Sequence, residues 1–83
     1  MLKILYFAGL RERLGQGSEE LELPAGVRDV AALRDLLAAR GGVWDCLLTL
    51  RNLRYAVNQQ MARLDSPLCA GDEVAFFPPV TGG

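Results

Sequence analysis

The residues with the clearest chemical potential stand together at 76–83, Phe-Phe-Pro-Pro-Val-Thr-Gly-Gly. Terminal glycines add no buried area and lose more entropy on ordering than any other residue, so packing does not account for Gly82 and Gly83. Pro78 and Pro79 bring no N–H to a sheet ladder, and Pro78 is held extended by the proline after it. The pair predicts a stiff, polyproline-like stem. From Pro79 to Gly83, five extended residues reach about 17 Å. That is enough to carry the tip into a cleft of another protein while the body stays outside. Glycine lets the backbone pass where a Cβ would collide. The expected reactive group at the tip is the α-carboxylate of Gly83. A carboxylate is a poor acyl donor, but it can attack the α-phosphate of ATP to give an acyl adenylate. That mixed anhydride can accept sulfur to become a thiocarboxylate, or accept a thiol or an amine. A frayed tail with no role is the alternative.

The rest of the chain offers little chemistry of its own. It has no histidine, hence no His general base and no Ser-His or Cys-His pair. Cys46 and Cys69 are far apart and belong to no CxxC. A zinc site built on them would need carboxylates as its other ligands, an unusual set, so both are expected to be small core residues. No phosphate-binding GxxxxGK[ST] or GxGxxG is present. The glycines at 15, 17, 41 and 42 read as turn residues, and Asp72-Glu73 as a turn leading into a strand. No bound metal or cofactor is expected, and no autonomous active site. Nine basic and ten acidic residues give a net charge of −1, without the basic stripe of a nucleic-acid binder. Apolar stretches fall well short of the roughly 20 residues of a membrane span. Met1 leads straight into a strand-like run without a leader signature, so the expected compartment is the cytoplasm. A disulfide is not expected there.

The elements that must position the tip follow from periodicity. Eighty-three residues, 51% of them hydrophobic, predict one domain with one modest core. Residues 2–8 set Leu2, Ile4, Tyr6 and Ala8 on one face and Lys3, Leu5 and Phe7 on the other. This predicts a central strand buried on most of both faces. Residues 8–14 can make two helical turns with Leu10 and Leu14 at i,i+4, stopped by Gly15. Residues 19–23 alternate, with Leu21 and Leu23 inward, and predict a strand antiparallel to the first. Asp29 is placed to cap a helix whose Val30, Leu33 and Leu37 form one apolar stripe. Arg40 is expected near its carbonyl end, where a cation is favoured. Residues 43–50 are compatible with a short helix presenting Trp44, Leu47 and Leu48. Residues 53–58 and 73–77 predict strands, 58–60 a turn, and 61–64 a short edge strand.

A hairpin, a crossover helix and a return to the sheet make an α+β roll. Parallel pairing of the first and last strands would make it a ubiquitin-like β-grasp: a mixed sheet of about five strands, one main helix, and one or two short helices. The competing ferredoxin-like arrangement needs a second full helix, which the residues after 50 do not supply. The expected organisation is a single domain over 1–78 and an extended tail over 79–83. Phe76 shares strand parity with Val74, so Phe76 is expected in the core and Phe77 on the open face.

MLKILYFAGLRE at the start, AVNQ at 56–59 and GDEVAFFPPVTGG at 71–83 resemble the MoaD-type sulfur carriers, the small subunits of molybdopterin synthases. The likeness runs from Met1 to Gly83. It implies a β-grasp fold. It implies that a ubiquitin-activating-type adenylyltransferase, using ATP, activates Gly83, with Gly82 as its companion, and that sulfur is loaded as a thiocarboxylate. It implies insertion of the tail into a large synthase subunit, in a probable heterotetramer. There two sulfur transfers turn cyclic pyranopterin monophosphate into the dithiolene of molybdopterin. The catalytic base and pocket would belong mostly to the large subunit. Phe7, Arg11, Met61 and Phe77 match partner-facing positions, and Pro78, Pro79, Val80 and Thr81 the inserted stem. The alternatives are a related carrier for thiamine, cysteine or tRNA thiolation, a ubiquitin-like protein modifier, and a plain interaction domain with an idle tail.

Overall fold

The computed structural model describes residues 1–79. Five strands form one sheet: β1 (Leu2–Tyr6), β2 (Ser18–Leu21), β3 (Arg54–Val57), β4 (Gln60–Ala62) and β5 (Glu73–Phe77). They lie in the order β2-β1-β5-β3-β4. β1 and β5 pair in parallel, Ile4 opposite Val74 and Tyr6 opposite Phe76, while β1–β2, β3–β4 and β3–β5 are antiparallel. This is the ubiquitin-like β-grasp. Its helices are α1 (Ala8–Leu14), α2 (Val30–Ala38) and α3 (Cys46–Thr49), the last preceded by a 3₁₀ turn over Gly42–Asp45.

α2 forms where the apolar stripe predicts, and Val30, Leu33 and Leu37 are fully buried. Its first turn leaves no orphan donor. Asp29 Oδ1 accepts from Ala32 N at 2.8 Å, and Val30 N and Ala31 N donate to Ser66 O and Leu64 O at 3.1 and 2.8 Å. The long connection before β5 therefore clasps the helix start, supplying partners the helix cannot supply itself. α1 ends on Gly15, which adopts the left-handed φ of 75° and returns its N–H to Arg11 O. That conformation suits glycine alone at little cost.

The hydrophobic core joins Leu2, Ile4, Tyr6, Val74 and Phe76 of the sheet to Leu10, Leu14 and the α2 stripe. Phe76 is its aromatic centre, stacked on Tyr6 at 6.1 Å and edge-on to Tyr55 at 5.7 Å. Three expectations are corrected here. β1 is buried on one face only: Lys3 is exposed and Leu5 half-buried, because the helices all cover the other side. Cys69 is exposed, whereas Cys46 is buried, since Cys69 lies on the loop that clasps α2 rather than beneath it. Leu48 points outward from α3, half exposed, while Cys46 and Leu47 take the inward positions. α2 stops at Ala38, and Arg40 follows near its carbonyl end, with its N–H on Leu37 O at 3.1 Å and its guanidinium on Glu19.

Candidate docking face and tail exit

Strand pairing places directly opposed residues on the same side of a sheet. One row across the uncovered face reads Ser18, Leu5, Ala75, Ala56 and Met61, from β2 to β4. The next row towards the end of β5 sets Phe77 opposite Arg54. Phe7 keeps an extended backbone (φ −120°, ψ 156°), so strand alternation carries its ring to this same face. Ala8, at φ 54°, then swings the chain into α1. Phe7 is 45% and Met61 67% exposed. Together with half-buried Leu5 and Phe77, they give an apolar face that helices do not cover.

The tail leaves at one end of this face. Because β1 and β5 run parallel, the C-terminal end of β5 lies beside the β1–α1 junction, and Phe7 N donates to Phe76 O at 3.2 Å. Phe77 ends the strand, and Pro78 and Pro79 follow it, partly buried and outside any ladder. Arg11 is exposed on α1, and with Ala8, Gly9 and Glu12 it lines a shallow open depression beside the exit. The structure thus brings Phe7, Phe77 and Pro78 together at the exit, while the Arg11 side chain lies over Gly17 on the other side of β1 from β5. Met61 sits on edge strand β4, two strands from β5, about 10 Å away at ordinary strand spacing. Val80, Thr81, Gly82 and Gly83 lie outside the described residues.

Asn58, whose AVNQ setting carried part of the family likeness, has a plain structural task. Asn58 and Gln59 both take positive φ (52° and 69°), as the two central positions of a tight primed hairpin turn require. The Asn58 side chain then receives Glu73 N and donates to Asp72 Oδ1, each at 3.0 Å. The hairpin is thereby locked to the start of the strand that carries the tail.

One polar cluster was not foreseen. Glu19 lies on the core side of β2, where it accepts from the Tyr6 hydroxyl at 2.8 Å and from both Arg40 guanidinium nitrogens at 2.9 and 2.8 Å. Arg40 also lies over the Trp44 ring at 4.4 Å. The Arg40 hydrogen bonds hold the Glu19 carboxyl below its usual range, and burial pushes the Tyr6 hydroxyl well above its own. The signal was available: if Leu21 and Leu23 face inward, strand parity sends Glu19 inward too. This network braces the scaffold and lies on the helix side of the sheet, away from the open face.

Among the described residues, no group of three or more His, Cys, Asp or Glu side chains could hold a metal ion. No described helix is long and apolar enough to cross a membrane.

Comparison with known proteins agrees with this geometry. The family model described as the ThiS family matches residues 4–83. The molybdopterin synthase sulfur carrier subunit of Escherichia coli (strain K12) is 47% identical, with the whole of both chains aligned. The protein of the same name from Haemophilus influenzae is 42% identical, again over the whole of both. Among solved structures, SAMP1 from Haloferax volcanii superposes with a TM-score of 0.77 at 26% identity, covering 99% of this chain and 98% of that one.

Proposed function

From the premise that this chain belongs to the ThiS family, we propose that it is the sulfur carrier subunit of a molybdopterin synthase. Full-length identity to two carriers of that name supports the reading. The observation that carries it is the pairing of an exposed apolar face with a proline stem leaving at its edge. Such a body acts as a handle, and the chemistry is done on its tip.

The steps run as follows. The Gly83 carboxylate oxygen attacks the α-phosphorus of ATP in an adenylyltransferase, and pyrophosphate leaves. Hydrosulfide-level sulfur then attacks the acyl carbon, its proton is released and AMP departs, leaving a thiocarboxylate. Glycine keeps that carbon unhindered at each stage. The loaded tail enters the large subunit, where two such sulfur transfers build the dithiolene of molybdopterin from cyclic pyranopterin monophosphate. The face bearing Phe7, Leu5, Met61 and Phe77 docks against the partner, and Pro78 and Pro79 hold the thread extended. ATP is used by the activating partner and is not bound by this chain.

Incubation with the activating enzyme, ATP and a sulfur donor is expected to raise the intact mass by the difference between sulfur and oxygen. Deleting Gly83 is expected to abolish that gain without lowering the melting temperature. An unchanged mass in a competent system sinks the reading. Rescue of a molybdenum-cofactor-deficient strain, but not of a thiamine auxotroph, separates it from a thiamine carrier. The likeness to SAMP1, named in full as a small archaeal modifier protein, favours protein modification as the second reading. That reading predicts isopeptide-linked adducts on denaturing gels.

A further inference from the structure

We propose that Gly17 is a positioning residue for Arg11, its vacant side-chain position forming the seat on which the Arg11 stem lies so that the guanidinium meets a carboxylate of the large subunit across β1 from the tail exit. This rests on the reading above that a large subunit receives the tail.

The glycine is not needed by the backbone at this position. Gly15, Gly26, Gly41, Gly42 and Gly71 have positive φ, and Gly17 does not. What it supplies is space. A Cβ built on Gly17 would stand 3.2 Å from Arg11 Cδ, 3.5 Å from Nε and 3.7 Å from Cγ. Its three nearest neighbours thus all belong to one side chain, which lies flat across the glycine. At every other described glycine the same position meets nothing within 4 Å. Both ends of the seat are anchored. Gly17 O accepts from Tyr6 N at 2.9 Å, and Arg11 N donates to Phe7 O at 3.4 Å.

The seated guanidinium is unspent. Among the described residues, Arg34, Arg40 and Arg63 form ion pairs, and Arg11 forms none; it makes no side-chain hydrogen bond either. Glu12, beside it in the depression, does not pair with it. Arginine gives up rotamer freedom when its long side chain is fixed. A stem already laid along Gly17 loses less of it on docking, which is how preorganisation raises affinity. Seat and exit flank the same end of β1, since Gly17 O takes the N–H of Tyr6 on one side and Phe76 O takes that of Phe7 on the other.

The test is a double-mutant cycle with Arg11→Ala and Gly17→Val, titrating the full chain into its cognate large subunit at several salt concentrations. Valine suits the entry to a strand, so its melting temperature is expected to equal or exceed the wild type's. A partly exposed charge pair is worth about 1 kcal/mol, so Arg11→Ala is expected to weaken binding about fivefold. Gly17→Val should weaken it by a similar or smaller factor, flatten the salt dependence, and add nothing in the Arg11→Ala background. In the free chain, relaxation of the Arg11 Nε–H group should show it ordered in the wild type and mobile in Gly17→Val. If Nε is equally mobile in both, the seat is overturned while the docking reading stands. If Arg11→Ala binds like the wild type, the guanidinium meets no partner and the proposal is wrong, whatever the mass assay shows of sulfur loading. Additive losses assign Gly17 a role independent of Arg11 and overturn it as well.

Discussion

Replacing Glu19 with alanine is the sharpest probe of how this small scaffold is held. The substitution removes the acceptor of the Tyr6 hydroxyl, whose residue is 1% exposed, and both hydrogen bonds from Arg40. A buried donor left unsatisfied costs about 1–3 kcal/mol. The Arg40 pair, with the guanidinium 36% and the carboxylate 17% exposed, adds at most about 1 kcal/mol. Water can reach the part-buried site, which favours the lower half of that range, a total of about 2 kcal/mol. For a domain of this size that lowers the melting temperature by roughly 10 °C. Circular dichroism measures it directly, and Trp44, 5.6 Å from Tyr6, offers an independent fluorescence signal. Glu19→Gln keeps an acceptor for Tyr6 and loses only the charge, so about half the loss is expected. The pH dependence has a definite sign. The folded carboxyl titrates below its unfolded value, so its ionic contribution is complete above about pH 5 and disappears as pH falls through the folded value. Wild type and Glu19→Gln should therefore converge in acid. Tyr6 stays neutral throughout. In a Tyr6→Phe background the alanine substitution should cost less than about 1 kcal/mol, because only the Arg40 pair remains to be lost. A Glu19→Ala protein melting within about 2 °C of the wild type would refute the reasoning, given the sensitivity expected for such a domain. So would a cost unchanged by Tyr6→Phe.

Other expectations follow from the same geometry. Met61→Ser and Phe77→Ala should each weaken binding of the large subunit about tenfold, the scale of an exposed anchor that becomes buried on docking. Met61→Ser should leave the melting temperature nearly unchanged, because that side chain is 67% exposed in the free chain. Asn58→Gly keeps the left-handed turn but cuts the tie to Glu73 and Asp72, so it should cost about 1 kcal/mol in denaturant unfolding. Lys3 is the single lysine of the chain. If protein modification is the true activity, self-linked chains should form through Lys3 or the α-amino group alone, and Lys3→Arg should remove the lysine linkage in a peptide map.

Much of the fold was legible because its cues are local. The Asp29 cap, the α2 stripe, the Gly15 stop and the parity of Val74 and Phe76 all depend on residues within a turn or two of each other. The α-carboxylate chemistry expected of Gly83, and the stem of Pro78 and Pro79 that would carry it, were likewise read from covalent structure. What periodicity cannot tell is which face of a strand will be covered. The β1 sequence is apolar on both sides, and only the path of the helices leaves Leu5 and Phe7 facing outward while Leu2, Ile4 and Tyr6 are sealed in. The row from Leu5 to Met61 exists only through the register of four strands drawn from opposite ends of the chain. The same holds for Glu19 and Arg40, which share no local pattern, and for Arg11 on Gly17, where a loop glycine acquires meaning from a side chain laid over it. The amino-acid order determined the parts and the chemistry expected of the tip. Long-range packing decided which surface stayed open beside its stem, because burial is a property of two elements in contact, and neither carries its partner's position in its own residues.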